Sequence, residues 1–117
     1  MKENILQQKS YAFGIQIVKL YQFLSKEKKE FVLSKQILKS WTSVWALIRE
    51  AEFWQSRADF VNKLSISLKE VNETLYWLDI LKDTLYIDVN LYEEIHNPCI
   101  EILKILISTI KTTKINP

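Results

Sequence analysis

Residues 31 to 56 read FVLSKQILKSWTSVWALIREAEFWQS, and this stretch decides the fold. It holds neither Gly nor Pro. Leu33, Ile37, Val44, Ile48 and Ala51 recur at helical spacing, so they share the face of a helix that lies on a core. Trp41 and Trp45 stand one turn apart on one flank of that face. Leu47 and Trp54 stand two turns apart on the other. At about 100° per residue these additions widen the apolar surface beyond what one neighbouring helix covers. The stretch therefore predicts a helix with partners on several sides: the central helix of a bundle, or one that also meets another chain.

The rest of the composition agrees with a helical reading. One Gly and two Pro in 117 residues supply too little turn chemistry for an all-β fold, which favours a few long helices. Hydrophobic residues at 48% and charged residues at 26% describe a soluble globular chain. Outward from the central stretch, Phe13, Ile17, Leu20, Tyr21 and Leu24 set an earlier helix. Phe60, Leu64, Leu68, Val71, Leu75 and Leu78 set a later one, with Trp77 and Ile80 apolar outside its stripe. Ile102, Leu103, Leu106 and Ile110 set the last. The expected helices span about residues 9–26, 31–55, 57–82 and 91–112 of one domain, 1–117. Ser56 to Asp59 reads as a capping box with Asp for Glu. Pro98 predicts a kink or restart with Asn97 as cap. The run Lys26 to Glu30 reads as a solvated turn, and Leu85, Tyr86 and Ile87 as a loop tucked under the bundle. Short connections then give an all-α, antiparallel up-down-up-down four-helix bundle.

Catalytic constellations are missing from the pattern. Glu93 to His96 gives one Glu-x-x-His spacing, but a di-iron bundle needs two such pairs and the chain has one histidine. His96 and Cys99 lie one turn apart without the glycine-rich turn that an oxyanion hole would use. Gly14 is the sole glycine, which leaves no phosphate-cradling loop. Neither enzyme activity nor a cofactor is expected. The lone Cys99 excludes an intrachain disulfide and fits a reducing cytoplasm. MKENILQQKS is too polar for a signal peptide, and no apolar run reaches the roughly 18 residues of a membrane span, so no membrane partner is expected. Net charge is +2, too small to imply nucleic-acid binding alone. Among the dispersed cations, Lys35, Lys39, Arg49 and Arg57 are the candidates for a weak, salt-sensitive contact with a nucleic-acid backbone.

Phe31-Val32-Leu33-Ser34-Lys35-Gln36, Ile48-Arg49-Glu50-Ala51-Glu52, Ala58-Asp59-Phe60 and Asn72-Glu73-Thr74-Leu75-Tyr76-Trp77-Leu78 together resemble a family of bacterial four-helix bundles. It comprises the proteins encoded in ribosomal RNA intervening sequences and, as relatives, the accessory proteins of diversity-generating retroelements. The resemblance covers nearly the whole chain and is strongest from residue 31 to 82. It implies an up-down bundle, a ring-shaped homopentamer, no enzymatic activity and, in the retroelement branch, a basic surface that meets nucleic acid and a reverse transcriptase. The chain departs from the family where small residues are expected: it reads Ser40-Trp41-Thr42-Ser43-Val44-Trp45-Ala46-Leu47-Ile48, and Trp54 also replaces a small residue. Clustered gains of large side chains are what a seam rebuilt for a contact would leave, by selection or by engineering. Trp41, Trp45, Leu47, Trp54 and Trp77 are thus the expected protein–protein interface, made with further copies of the chain or a second protein. Trp41 and Trp45 are expected to face that partner rather than the core.

Overall fold

A computed structural model describes residues 4–115. Four helices account for it: α1 (Ile5–Lys26), α2 (Leu33–Ala51), α3 (Arg57–Asp83) and α4 (Val89–Ile115). Among the described residues the close backbone approaches run in the order α1–α2–α3–α4–α1, each helix lying beside two neighbours. This is the up-down-up-down bundle that the periodicity predicts, 48 × 23 × 21 Å along its axes. Its core is a column of fully buried aliphatic residues from all four helices, among them Ile17 and Leu24, Ile37 and Val44, Val71 and Leu78, and Leu106. Burial of such surface stabilises the fold by about 25 cal/mol per Å².

The seam between α2 and α3 is built from small polar residues. Ser40, Ser67 and Thr74 are buried. The Ser40 and Thr74 hydroxyls bond at 2.9 Å, and Ser67 Oγ donates to the Val44 carbonyl at 3.4 Å. Satisfied hydroxyls of this size let two backbones approach without an unpaired buried group.

Several boundaries depart from the sequence-based expectation, each for a local reason. α1 starts at Ile5 rather than near Lys9, because Asn4 Oδ1 accepts the Gln7 N–H at 3.1 Å and Leu6 is buried beneath it. α2 is shorter at both ends. At its start, the carboxylate of Glu30 accepts the N–H groups of Val32, Leu33 and Ser34 at 3.0, 2.8 and 2.7 Å. Glu30 is 7% exposed, so the charged run is not simply a solvated turn: its last carboxylate is a buried cap placed at the positive end of the helix dipole. At the other end, Glu52 and Phe53 N–H groups turn back to Arg49 and Glu50 carbonyls, which closes α2 early and places Trp54 in the turn instead of on the helix.

Ser56 Oγ does accept the Asp59 N–H at 3.1 Å, and the Asp59 carboxylate accepts from Gln55 N–H at 3.2 Å. That backbone bond, with Lys63 beside it, holds the Asp59 carboxyl below its usual range against a smaller upward push from burial. Asp88 caps α4 by accepting the Leu91 N–H at 2.8 Å. Pro98 neither restarts nor ends α4, which runs through it unbroken. Proline at 98 cannot donate to the Glu94 carbonyl four residues back, and Gln16 of α1 supplies a long 3.5 Å bond to that oxygen instead. Of the loop residues expected under the bundle, Ile87 is buried and Tyr86 half-buried, but Leu85 is 84% exposed with φ of 66°. α4, expected to end near residue 112, is helical to Ile115, and residues 116–117 lie outside the described range.

Candidate interaction surface

The outer side of the α1–α2 pair carries an open groove of about 470 Å³. Its α1 wall is Tyr11, Ile15 and Val18, one stripe at four- and three-residue steps, and its α2 side is Leu38, Trp41 and Trp45. Tyr11, Ile15 and Val18 are 61%, 44% and 45% exposed. These three lie off the α1 core stripe, and their own spacing is a second apolar stripe that sequence reasoning passed over.

Trp41 is 2% exposed. Its indole meets the Phe13 ring edge to face, with centroids 4.5 Å apart and planes at 77°, a favoured aromatic geometry. It also seats on Gly14: a Cβ at that position would stand 3.1 Å from Trp41 Nε1. The glycine interrupts no turn; it makes room for the indole. Trp41 is therefore a core side chain within one chain, contrary to the expectation that it faces a partner, and only its edge reaches the groove floor. Its Nε1 has no hydrogen-bond partner in the structure. Trp45, one turn on, is half-buried. The Arg49 guanidinium lies 4.9 Å from its ring centroid, a cation–π contact beside the groove that Trp45 lines.

The remaining interface candidates, Leu47, Trp54 and Trp77, do not line this groove. Leu47 is half-buried on the opposite flank of α2. Trp54 is 53% exposed in the α2–α3 turn, 6.4 Å from the Phe60 ring. Trp77 is half-buried on α3 with the Tyr76 ring 5.2 Å away, and its Nε1 also lacks a partner.

Charge is distributed unevenly. α1 carries Lys9, Lys19 and Lys26 and no carboxylate; α2 carries Lys35, Lys39 and Arg49 and one carboxylate, Glu50. α3 carries four cations and five carboxylates. Lys9 pairs with Glu101 of α4 at 3.0 Å, and Glu50 lies 3.7 Å from Lys63 of α3. Lys35, Lys39 and Arg49 fall within one solvent-facing stripe of α2, and Lys19 lines the groove. Arg57, at the start of α3, sits beside Trp54 and Phe60 at the α2–α3 turn.

The His96 region has a structural explanation. His96 stacks on Tyr92 at 4.8 Å, Lys82 lies 4.5 Å from the Tyr92 ring, and Tyr92 O–H donates to Asp79 at 2.6 Å. Burial first, and the Asp79 carboxylate second, push the Tyr92 phenol up to about 12. Cys99 is fully buried, and burial pushes its thiol up to about 12. It is thus a thiol, not a thiolate nucleophile, near neutral pH. Among the described residues no three metal-ligating side chains gather, and no helix is long and apolar enough to cross a membrane.

The four-helix geometry, read with the sequence, places the chain among known proteins. Residues 2–108 match the 23S rRNA-intervening sequence proteins. The chain belongs to that family. A crystal structure from Bacteroides thetaiotaomicron, of a protein with unknown function from the S23 ribosomal protein family, superposes with a TM-score of 0.90 at 59% identity. The match covers 92% of this chain and 99% of that one. No curated protein matches. Membership of the 23S rRNA-intervening sequence protein family agrees with the four-helix bundle.

Proposed function

We propose that this protein works by association rather than catalysis, as a homo-oligomeric bundle scaffold in the cytoplasm whose contact surface centres on the groove between α1 and α2. One observation carries the reading: Tyr11, Ile15, Val18 and Trp45 leave a contiguous apolar groove uncovered in the single chain. Uncovered apolar patches of this kind mark interaction sites, and Trp and Tyr are favoured anchors within them. The ring-shaped pentamer implied by the family resemblance is the assembly we propose, whether selection or engineering placed the tryptophans. Sedimentation velocity with native mass spectrometry tests it. At micromolar concentration the wild-type chain should run above monomer, and Val18→Glu should run as monomer with helicity intact. A wild-type monomer throughout would overturn the reading.

A second reading has its own support in the six cations and single carboxylate of α1 and α2. On this reading Lys35, Lys39, Arg49 and Arg57 contact an RNA backbone, with or without a partner protein such as a reverse transcriptase. Binding should be sequence-tolerant and weaken steeply with salt. Retention on RNA that is unchanged at several hundred millimolar salt would count against backbone neutralisation.

A further inference from the structure

We propose that a second groove, between the start of α3 and the end of α4, binds a free nucleotide, with the base stacked on Trp54 and the phosphate held by Arg57 and Lys114. This groove shares no lining residue with the one between α1 and α2. The proposal needs neither self-association nor a contact with an RNA backbone.

Two adjoining hollows form the groove. Trp54 and Phe60 line the smaller, of about 230 Å³, and Asn62, Ser65 and Lys114 the larger, of about 590 Å³. Arg57 and Thr113 line both, so the hollows run into one another. Small-molecule sites have volumes of about 300–1,000 Å³, and this groove suits one such ligand. Its two ends differ in chemistry. Trp54 is 53% exposed, and Phe60 braces its ring at 6.4 Å with the planes at 68°. An indole that is held in place and open to solvent is a platform for a flat ring, and every nucleobase has a π face to lay on it. The larger hollow is polar. Asn62 and Ser65 stand one turn apart on α3 and are exposed. Their amide and hydroxyl can both donate and accept, as the hydroxyls of a ribose require.

Charge sets the sign of the ligand. Arg57 offers a planar fork for phosphate oxygens, and Lys114 adds a point charge across the groove. Residues 102–115 of α4 include Lys104, Lys111 and Lys114 and no carboxylate. Asp59 is the acidic residue in the first turn of α3, and it is already engaged. It accepts the Gln55 N–H at 3.2 Å and lies 3.4 Å from Lys63. An aromatic platform with two cations beyond it matches a molecule that is flat and uncharged at one end and anionic at the other. A nucleoside monophosphate has that form. Among the described residues Trp54 is the single exposed aromatic ring lining the groove. One platform fits one nucleotide; a strand would stack successive bases on several.

Binding of the ligand and its fragments tests this on the full chain. AMP, adenosine and ribose phosphate are titrated by calorimetry and by NMR of the backbone and indole N–H groups. AMP should bind about tenfold or more tighter than either fragment. It should move the Trp54 indole resonance and leave that of Trp41 in place. Trp54→Ala should weaken AMP about tenfold or more, and Trp54→Phe should keep most of the affinity. Lys114→Gln should weaken AMP severalfold and leave adenosine unchanged, a split that a merely structural lysine would not produce. Adenosine or ribose phosphate binding as tightly as AMP would overturn the proposal. So would AMP that moves no resonance at Trp54 at millimolar concentration. A short single-stranded oligoadenylate that binds at Trp54 where AMP does not would overturn it too, and would give the groove to a strand instead. Should Trp54→Ala fail to fold, the fragment comparison on wild type and the exposed Lys114→Gln still decide. A monomeric wild type would remove the scaffold reading and leave this one standing.

Discussion

Trp41 and Trp45 are four residues apart and have different physical roles. Trp41 fills the space over Gly14 and meets Phe13, so Trp41→Ala should lower stability by about 3–5 kcal/mol, the usual cost of truncating a buried Trp. Trp45→Ala removes a half-buried ring and one cation–π contact, and should cost about 1 kcal/mol in the fold while weakening association. Denaturant melts paired with sedimentation check both. The Gly14–Trp41 contact gives a coupled expectation. Gly14→Ala gains about 1 kcal/mol of helix propensity but loses it to the 3.1 Å approach, so it should be near neutral in the wild-type chain. In a Trp41→Leu background, with the indole gone, the same change should stabilise by about the full 1 kcal/mol; equal effects in both backgrounds would mean that the glycine is not there for the indole. Sequence periodicity placed Trp41 on the flank of the core stripe, and that angular position is accurate. What it could not give is that the neighbouring helix lacks a side chain at the facing position, since a contact between residues 14 and 41 has no signature along the chain.

At the scale of elements, the connections differ most from what the pattern predicts. Glu30 spans three N–H groups that α2 would otherwise leave unsatisfied. Glu30→Ala should destabilise by about 2 kcal/mol, in line with the loss of a helix cap whose bonds are charge-assisted. A glutamate before a helix start looks like any other member of a mixed-charge run, so its role emerges only when the backbone turns back on it. Leu85 holds a left-handed φ of 66° with its side chain in water. That conformation costs a non-glycine residue about 1–2 kcal/mol, partly offset by glycine's larger backbone entropy. Leu85→Gly should therefore raise stability by up to about 1 kcal/mol in a thermal melt. α4 reads through Pro98 with help invisible in its own sequence: Gln16 of α1 reaches the orphaned Glu94 carbonyl. The helices themselves were legible because each carries a long 3.6-residue apolar stripe, and the capping signal at Ser56 was legible because its partners are local.

For the whole molecule, two titrations set an alkaline limit. The folded state raises both the Cys99 thiol and the Tyr92 phenol to about 12, above their ordinary values of 9.0 and 10.0. Groups shifted upward contribute stability that is intact below the ordinary value and lost as pH rises through the folded one. Stability should thus fall from about pH 9 to pH 12, and Cys99→Ala should have a lower melting point at neutral pH but a shallower alkaline decline. A decline as steep as in wild type would mean that the thiol is not the group being ionised. On the acid side, Asp59 is lowered; its contribution is present above the usual carboxylate range and is lost as pH falls through it.

The partition of charge between α1–α2 and α3 gives the molecule an electrical polarity that its net charge conceals. On a cation exchanger near neutral pH it should bind by one side only, α1 and α2 toward the resin, and elute later than a protein of evenly spread charge +2. Chromatographic retention would then report the free basic face: once that face is covered by another copy or by RNA, the same chain should leave the column early.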